Sequence, residues 1–394
     1  MLKGKTVVLG VTGSIAAYKI ANLARMLVKQ HCEVHVLMTQ NATNFINPIT
    51  FETLTKHKCL IDTFDRNFEF SVEHVALAKA ADVVMIAPAS ANVIGKIANG
   101  IADDMLTTTV MACPCKKIVS PAMNHNMFHN PIVQDNIEKL KHYGYEIVEP
   151  AHGMLANGDM GDGRMPDEEL LFEYIVKEIA FEKDMTGKKV LVTAGATVEA
   201  IDPVRFITNH SSGKMGFALA KNAMLRGADV TLVMCKCDSE PPVFVNTVKV
   251  QSAKDMYDAV IERADSMDII VKAAAVADYR PKNVSSEKVK KQDGNMSIEL
   301  ERTDDILKTL GERKNGQFIC GFSMETENML ENSRKKLEKK NCDMIVANNL
   351  KQDGAGFGGN TNIVTLITKD DEVQLEKMTK DEVAEKIFDF ILSR

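Results

Sequence analysis

The chain has 394 residues, with 48 Lys plus Arg against 54 Asp plus Glu and a formal net charge of −6. This length predicts two domains, and a composition of 45% hydrophobic and 26% charged residues excludes wholesale disorder. The charge gives no global attraction for nucleic acid or an anionic membrane, and no apolar run reaches the ~18–20 residues of a membrane span. We therefore expect a cytoplasmic protein without nucleic-acid or membrane partners.

The first half of the chain alternates predicted strands and helices. A β-branched strand at residues 6–11 leads through a Gly-containing turn into a helical pattern at 15–30 and a second strand at 33–38. Further buried strands are predicted at 82–87 and 117–119, and a helix at 168–183. Strand, helix and strand at this spacing form the βαβ unit of a parallel sheet.

The second half repeats this pattern. A strand beginning at residue 188 is followed by a helix at 216–226 and by strands at 229–234, 268–271 and 344–347. The fold class is therefore α/β, with two tandem Rossmann-like doubly wound domains. We place the domains at 1–183 and 188–394, joined by a hinge at 184–187. Residues 279–297 are rich in Lys, and we predict that they form either a loop or a small β-ribbon. Their lysines either make a solvated face or form an electrostatic lid over bound phosphates.

The eight cysteines show no spacing typical of a disulfide scaffold. Two pairs, Cys113-Pro114-Cys115 and Cys235-Lys236-Cys237, invite a metal hypothesis. Structural zinc sites usually combine such a pair with a second pair or a His cluster, and neither follows here. Free thiols are the favoured interpretation.

Candidate ligand-binding residues of the first half follow its predicted strands. Gly10-Val11-Thr12-Gly13-Ser14 forms a turn that either approaches a phosphate at a helix N-terminus or simply connects strand and helix. Pro88-Ala89-Ser90-Ala91-Asn92 and Pro121-Ala122-Met123-Asn124 follow the next two strands, at the sheet edge where such folds bind ligands. His74 lies just before a predicted helix.

These motifs, together with Gly95-Lys96 and Met127, resemble those of the FMN-dependent cysteine decarboxylases over residues 6 to about 166. The resemblance implies a flavodoxin-like flavoprotein domain, with His74 as the catalytic base and Asn124 holding the substrate carboxylate. It further implies FMN contacts at Gly13, Ser14, Thr39, Pro88, Ala89, Ser90, Ala91 and Ala122.

The sequence departs from this family at one position of the substrate-covering flap. Residues 155–165 fit the flap, but Asn157 stands where the family has Cys. An amide is neither a useful proton donor nor a thiol reductant. Three hypotheses follow: water or another acid such as Asp159 completes the reaction, the enzyme is slow or releases an oxidised enethiol, or the domain only binds flavin. We favour the first, because the other motifs are present.

The second half carries its own motifs, at 193–205, 208–216, 273–281, 287–291 and 321–326. The Gly213-Lys214 pair lacks the spacing of a Walker A loop, although Ser211-Ser212-Gly213 is placed to cap a helix and bind an anion. Together the motifs resemble phosphopantothenate–cysteine ligases over about 188–390. The order of the two halves is that of bacterial bifunctional enzymes of coenzyme A biosynthesis.

The ligase resemblance implies that 4′-phosphopantothenate is joined to L-cysteine after activation by CTP with Mg²⁺, whose protein ligands it leaves open. It assigns Asn209 to the acyl-cytidylate and Lys288 to the reacting phosphate. At 303–306 the family commonly has Asn-Pro-Asp-Ile, where this chain has Thr-Asp-Asp-Ile. The implied CTP contacts are Lys272, Ala273, Ala274, Asp278, Lys288, Thr303, Asp304, Asp305, Ile306, Phe322, Lys336 and Lys340.

Together the two resemblances imply a ligation followed by a decarboxylation to 4′-phosphopantetheine, in a homo-oligomer built from flavin-domain trimers and ligase dimers. An alternative is an active ligase with an impaired or non-catalytic FMN-binding first domain, because of Asn157. Another alternative, a nicotinamide-dependent oxidoreductase, is disfavoured because no strict dinucleotide fingerprint is present.

Overall fold

The computed structural model describes residues 2–64, 73–154, 158, 160–290, 296–325, 329–349 and 359–394. The chain divides into two compact units, Met1–Phe181 and Glu182–Arg394. Among the described residues, no helix combines the length and apolar character needed to cross a bilayer.

The first unit alternates strands and helices, with one 3₁₀ helix at Gln40–Asn44. Its strands are β1 (Thr6–Val11), β2 (Glu33–Met38), β3 (Val83–Ala89), β4 (Lys116–Pro121), β5 (Glu146–Ile147), β6 (Ala151–Met154) and β7 (Met160–Arg164). Its helices are α1 (Ala17–Lys29), α2 (Pro48–Thr55), α3 (Glu73–Ala80), α4 (Ala91–Ala98), α5 (Met105–Ala112), α6 (His125–Phe128), α7 (Pro131–His142) and α8 (Glu168–Ile179).

Five of these strands form one parallel sheet in the order β2-β1-β3-β4-β5. This is the flavodoxin-like order, so that part of the fold prediction is confirmed. Its strand order reverses between β1 and β3, and such a reversal opens a crevice at the carboxyl ends of the strands. The β-branched and apolar residues of β3 are buried on both faces, as expected for a central parallel strand covered by helices.

The remaining two strands, β6 and β7, form an antiparallel hairpin in which Met154 pairs with Met160. The hairpin lies against the segment after β4, where the Met123 amide donates to the Gly163 carbonyl at 3.0 Å. Gly163 has φ of +114°, and a Cβ there would lie 2.4 Å from the Met123 carbonyl oxygen. Only glycine fits at this contact. Asn157 and Asp159, the flap positions of interest, lie outside the described residues.

The second unit has fourteen strands and five helices within the described residues. Its strands are β8 (Lys189–Ala194), β9 (Val198–Ala200), β10 (Phe206–Thr208), β11 (Asp229–Met234), β12 (Asn246–Lys249), β13 (Ile269–Lys272), β14 (Tyr279–Pro281), β15 (Leu300–Arg302), β16 (Phe318–Glu325), β17 (Met344–Asn349), β18 (Thr361–Asn362), β19 (Val364–Ile367), β20 (Glu372–Gln374) and β21 (Met378–Thr379). Its helices are α9 (Lys214–Leu225), α10 (Ala253–Ala264), α11 (Ile306–Arg313), α12 (Met329–Lys339) and α13 (Lys380–Leu392).

The large sheet of this unit has the order β12-β11-β8-β13-β16-β17-β19-β20. Its first six strands are parallel and follow the Rossmann order, with the reversal between β8 and β13. The Rossmann-like prediction is confirmed, while the antiparallel edge strands β19 and β20 were not anticipated from the sequence. Strands β14 and β15 pair antiparallel, so the Lys-rich segment lies between the two strands of a ribbon.

The segment predicted as a hinge is packed onto the second unit. Met185 is fully buried, and its amide donates to the Arg226 carbonyl at 2.9 Å. The Arg226 guanidinium, only 8% exposed, binds both Asp184 and Asp389. The start of the unit is therefore fastened to its last helix, α13.

Candidate active sites

In the first unit, the ends of β1 and β3 are joined by the buried side chain of Thr12. Its hydroxyl donates to the Pro88 carbonyl at 2.7 Å and accepts the Ser90 amide at 2.9 Å. The turn after β1 and the turn after β3 are thereby fixed side by side. They form the two walls of the crevice at the strand reversal.

Small and hydroxyl-bearing residues line this crevice. Ser90 caps α4 by accepting the Val93 amide, and Thr39 caps the 3₁₀ helix after β2. A Cβ at Gly13 would lie 3.0 Å from the Cβ of Asn41, so glycine keeps the turn after β1 close to the segment after β2. Helix N-termini with free N–H groups and hydroxyls suit a phosphate-bearing ligand, so the residues present fit a flavin mononucleotide.

Four more of the residues predicted to contact FMN lie at the ends of β3 and β4 and at the start of α4. Pro88 and Ala89 are the last two residues of β3. Because the Ala89 side chain is fully buried, Ala89 fixes the position of the backbone there and offers no exposed side chain to a ligand. Ala91 begins α4. The Ala122 amide donates to the Ala89 carbonyl at 3.0 Å, which brings the end of β4 next to the end of β3.

The two predicted catalytic residues of the first unit are attached to these same strands. His74 is half-buried and is the second residue of α3, not a residue before a helix as predicted. Because α3 leads directly into β3, its N-terminus faces the carboxyl edge of the sheet. Asn124 follows β4 and caps α6, where its side-chain oxygen accepts the Asn126 amide at 2.9 Å. Its Nδ2 hydrogens are the groups that can donate to a substrate carboxylate.

In the second unit, a cavity of about 410 Å³ lies beside the carboxyl ends of β13 and β16. It brings together nine of the twelve residues predicted to contact CTP. These are Lys272, Asp278, Thr303, Asp304, Asp305, Ile306, Phe322, Lys336 and Lys340.

Three lysines and Arg302 line this cavity together with Asp278, Asp304 and Asp305. Burial, reinforced by the neighbouring Lys336, lowers the pKa of Lys272 from its usual 10.5 to about 8. Lys336 donates to the Phe322 carbonyl at 3.0 Å, and Lys340 forms an ion pair with Asp305. Ammonium groups that repel one another in such a cavity complement the charge of a polyphosphate.

Some predicted residues do not line the cavity, and some lining residues were missed. Ala274 is buried, and its amide donates to the Thr193 hydroxyl at 3.1 Å. Ala273 and Lys288 are also absent from the lining, and Lys288 lies exposed between β14 and β15. The lining residues that were not predicted as CTP contacts are Val276, Ala277 and Tyr279, which belong to the 273–281 motif, and Arg302 and Leu307, which belong to no motif. To predict Arg302 as a lining residue, one would need to know that β14 pairs with β15, because this pairing brings Arg302 beside Tyr279.

A second cavity, of about 420 Å³, contains the remaining predicted catalytic residue, Asn209. The Asn209 side chain donates to the Ala275 carbonyl at 3.2 Å, and the Ala275 amide donates to the Gly195 carbonyl at 2.8 Å. The segment after β13 therefore connects the two cavities, because Ala277 lines the first and Ala275 holds the Asn209 of the second. The second cavity is lined by Ala196, Thr208, Asn209, His210, Ser211, Ser212, Lys236 and Asp238.

Comparisons with known proteins assign each unit to a family. Residues 1–180 match the family described as Flavoprotein, and residues 185–394 match the DNA/pantothenate metabolism flavoprotein C-terminal domain. The coenzyme A biosynthesis bifunctional protein CoaBC of Bacillus subtilis is 48% identical, with 94% of this chain and 92% of that protein covered. The protein of the same name from Vibrio cholerae is 42% identical, with 99% and 98% covered. A crystal structure of the C-terminal domain of such a protein is 48% identical, covers 52% of this chain and 95% of its own, and has a TM-score of 0.46.

Proposed function

The chain belongs to the family of bifunctional coenzyme A biosynthesis proteins, and we propose that it carries out two successive steps. The second unit ligates 4′-phosphopantothenate with L-cysteine at the expense of CTP, and the first unit decarboxylates the product to 4′-phosphopantetheine with FMN. The observation that carries this proposal is the match of both units, in this order, to bifunctional relatives over nearly the whole chain.

For the ligation, we place the triphosphate of CTP in the cavity that contains Lys272, Lys336 and Lys340. Attack of a carboxylate on the α-phosphate forms an acyl cytidylate and releases pyrophosphate, so negative charge accumulates there during the step. The three ammonium groups stabilise it, and Mg²⁺ bound with the triphosphate adds further positive charge. The amine of cysteine then attacks the activated carbonyl and displaces CMP.

The second cavity is the proposed site of the acyl substrate. Asn209 is hydrogen-bonded to Ala275, and the lining also offers Ser211 and Lys236 for a phosphate. A carboxylate beside Asn209 would lie next to the segment after β13, whose Ala277 lines the cavity proposed for the nucleotide. This arrangement supports the role of Asn209 in holding the acyl cytidylate.

Lys288 acts from the segment between β14 and β15 in this proposal. The neighbouring Val289 is bonded through its amide to Asp202 and through its carbonyl to Arg205. A lysine on a four-carbon side chain next to a fixed residue can reach over bound phosphates, whereas its own backbone stays outside the cavity.

For the decarboxylation, we place FMN in the crevice between β1 and β3. Bound flavin would supply a two-electron oxidant for the cysteine thiol, which creates the electron sink that loss of CO₂ requires, and in reduced form it would return the two electrons to the resulting enethiol. His74 takes the thiol proton, and Asn124 donates its Nδ2 hydrogens to the departing carboxylate. For the last proton transfer we propose water or Asp159, since Asn157 has no acidic proton to give.

The alternative in which the first unit only binds flavin has no support in the relatives, which are bifunctional in name and matched along nearly their full length. We place the enzyme in the cytoplasm, because all eight cysteines are free thiols, as a reducing compartment requires. We also propose a homo-oligomer, in which Ile15 and Tyr18, each about 60% exposed in the single chain, would contact a second copy.

Two variants test this assignment on the purified full chain. Lys288→Gln should abolish pyrophosphate release from CTP, while decarboxylation of supplied 4′-phosphopantothenoylcysteine continues. His74→Asn should abolish decarboxylation while pyrophosphate release from CTP continues, so that the ligated product accumulates. Loss of both activities in either variant, with the protein folded, would contradict the division of labour between the two units.

A further inference from the structure

Three titratable side chains of the first unit meet where β7 approaches α6, and neither proposed reaction assigns them a role. His125, His129 and Asp162 each offer a ligand atom, and these atoms all lie within 4.8 Å of one another. Within the described part of the chain, this is the one such group of three or more His, Cys, Asp and Glu residues.

The local fold brings the two histidines onto one face. They are four residues apart across α6, and their rings lie 4.4 Å apart between centroids. Strand β7 then approaches this turn closely, because a Cβ at Gly161 would lie 2.8 Å from the Nδ1 of His125. The Asp162 amide donates to that same nitrogen at 3.1 Å.

The carboxylate of Asp162 lies between two imidazoles. Its Oδ2 is 3.0 Å from the Nε2 of His129, and its Oδ1 is 2.9 Å from the Nδ1 of His152 on β6. These bonds hold the pKa of Asp162 below its usual range. The cluster thus contains one ionised oxygen ligand and three imidazoles at hydrogen-bond distances from their neighbours.

We propose that His125, His129 and Asp162 bind a divalent transition-metal ion, with Zn²⁺ as its representative, and that His152 orients the carboxylate. Two imidazole nitrogens and one carboxylate oxygen are a ligand set that Zn²⁺ accepts, and a water completes the coordination. Ligand atoms around tetrahedral zinc lie about 3.3 Å apart, given bonds of about 2.0 Å. The 3.0 Å separation between His129 and Asp162 is therefore close to what coordination requires.

Metal binding must change how the hairpin contacts α6. A histidine nitrogen that binds a metal uses its lone pair, and the other ring nitrogen then carries the proton. Whichever nitrogen of His125 coordinates, its Nδ1 can no longer accept the Asp162 amide. The metal replaces one hydrogen bond by a link from α6 to the Asp162 carboxylate, and so fixes the β6–β7 hairpin beside Asn124.

Zinc binding to the full-length, FMN-loaded protein tests the proposal directly. After chelator treatment, Zn²⁺ affinity and stoichiometry are measured by competition with a chromogenic chelator. We expect the double variant His125→Gln/His129→Gln to bind one equivalent fewer than the unaltered chain. The matched control is His142→Gln, which removes an exposed histidine at the end of α7 and should leave the stoichiometry unchanged. Equal stoichiometry in the double variant and the unaltered chain would overturn the proposal.

Two further measurements do not depend on the background of free thiols. His152→Gln should keep the stoichiometry and weaken this site about tenfold or more, as loss of an orienting partner does. Hydrogen exchange at the amides of β7, apart from the Asp162 amide that loses its acceptor, should slow when Zn²⁺ is added, and should not slow in the double variant. Exchange rates that stay the same when Zn²⁺ is added would contradict the proposed link between the β6–β7 hairpin and α6. None of these readouts requires either enzymatic activity.

Discussion

The backbone amide of Val289 donates to the Oδ2 of Asp202 at 3.2 Å, which fixes the residue next to Lys288. The same carboxylate accepts the Arg205 guanidinium and the amides of Val204 and Arg205. Arg205 in turn donates to the Val289 carbonyl at 2.9 Å. The Asp-Pro-Val-Arg motif therefore holds the lysine segment in place, and this gives it a positioning role in the proposed ligation.

We predict that Asp202→Asn lowers the rate of pyrophosphate release at least about tenfold, equivalent to 1.4 kcal/mol in the barrier. An amide that places its NH₂ where Oδ2 lies would face the Arg205 and Val289 donors with a donor of its own. Decarboxylation of supplied 4′-phosphopantothenoylcysteine should be unaffected. The change should be measured with saturating CTP.

Asp258→Asn is the matched control for this substitution, because Asp258 makes an exposed ion pair with Lys254 on α10. It should ligate at the rate of the unaltered protein. Ligation at that same rate by Asp202→Asn would show that the position of Lys288 does not matter.

Lys272 provides a prediction about stability and pH. Its folded-state pKa of about 8 lies below its usual 10.5, so the folded state penalises the protonated form. This cost in folding free energy is fully present below pH 8 and decreases between about pH 8 and 10.5. It vanishes at higher pH, where Lys272 is neutral in both the folded and the unfolded state. Lys272→Met should therefore raise the free energy of unfolding without nucleotide by on the order of 2 kcal/mol at pH 7. Guanidinium unfolding at pH 7 and pH 9.5 measures this, and a larger gain at the higher pH would contradict it.

The same residue predicts how CTP binding depends on pH. A bound triphosphate favours the protonated lysine, so binding must take up a proton once the pH exceeds about 8. Affinity should fall as the pH rises above this value, and the fall should disappear in Lys272→Met. Lys308→Met, an exposed change on α11, is the control and should keep the pH profile of the unaltered protein.

Thr12→Val tests the crevice of the first unit. The substitution removes the buried hydroxyl that accepts the Ser90 amide, and an unsatisfied buried donor costs about 1–3 kcal/mol. The variant should lose part of its stability and most of its bound FMN, measured from the flavin absorbance of the purified protein. Thr53→Val removes an exposed hydroxyl that donates to the Ile49 carbonyl, and it should keep its flavin.

The sequence was sufficient to predict the fold class and most of the parallel strands, because β-branched runs between helical patterns reveal βαβ units. It did not reveal β16, in which Gly321 and Ser323 interrupt the apolar run. The strands β19 and β20 at the edge of the sheet were not predicted either. For β20 the reason is that it is exposed throughout and has no apolar face. The packing of Met185 depends on a partner, Arg226, that is 41 positions away, and no local pattern indicates such a contact.

For the candidate sites too, some features could be predicted from motifs, whereas others depend on tertiary contacts. Nine of the positions that the ligase resemblance implies for CTP line one cavity, and their role there stays a prediction. The outlying place of Lys288 follows from tertiary contacts with Asp202 and Arg205, which its own lysine-rich surroundings do not encode. The spacing of His125 and His129 is visible in the sequence, but Asp162 joins them only because β7 packs against α6.

Asn157→Cys probes the flap position that departs from the decarboxylase family. A thiol is a proton donor that the amide is not, so we expect the rate of the final protonation and its solvent isotope effect to change. Bound FMN should stay the same. A variant that loses FMN would show that residue 157 does not belong to the flap.

The most direct test of the two-step account follows the carboxyl carbon of cysteine through both units. The full chain is incubated with CTP, 4′-phosphopantothenate and carboxyl-labelled L-cysteine, and labelled CO₂ and pyrophosphate are measured together. The account predicts that labelled CO₂ appears only when all three substrates are present and finally equals the pyrophosphate released. Pyrophosphate release with the label retained in an accumulating ligated product would contradict it.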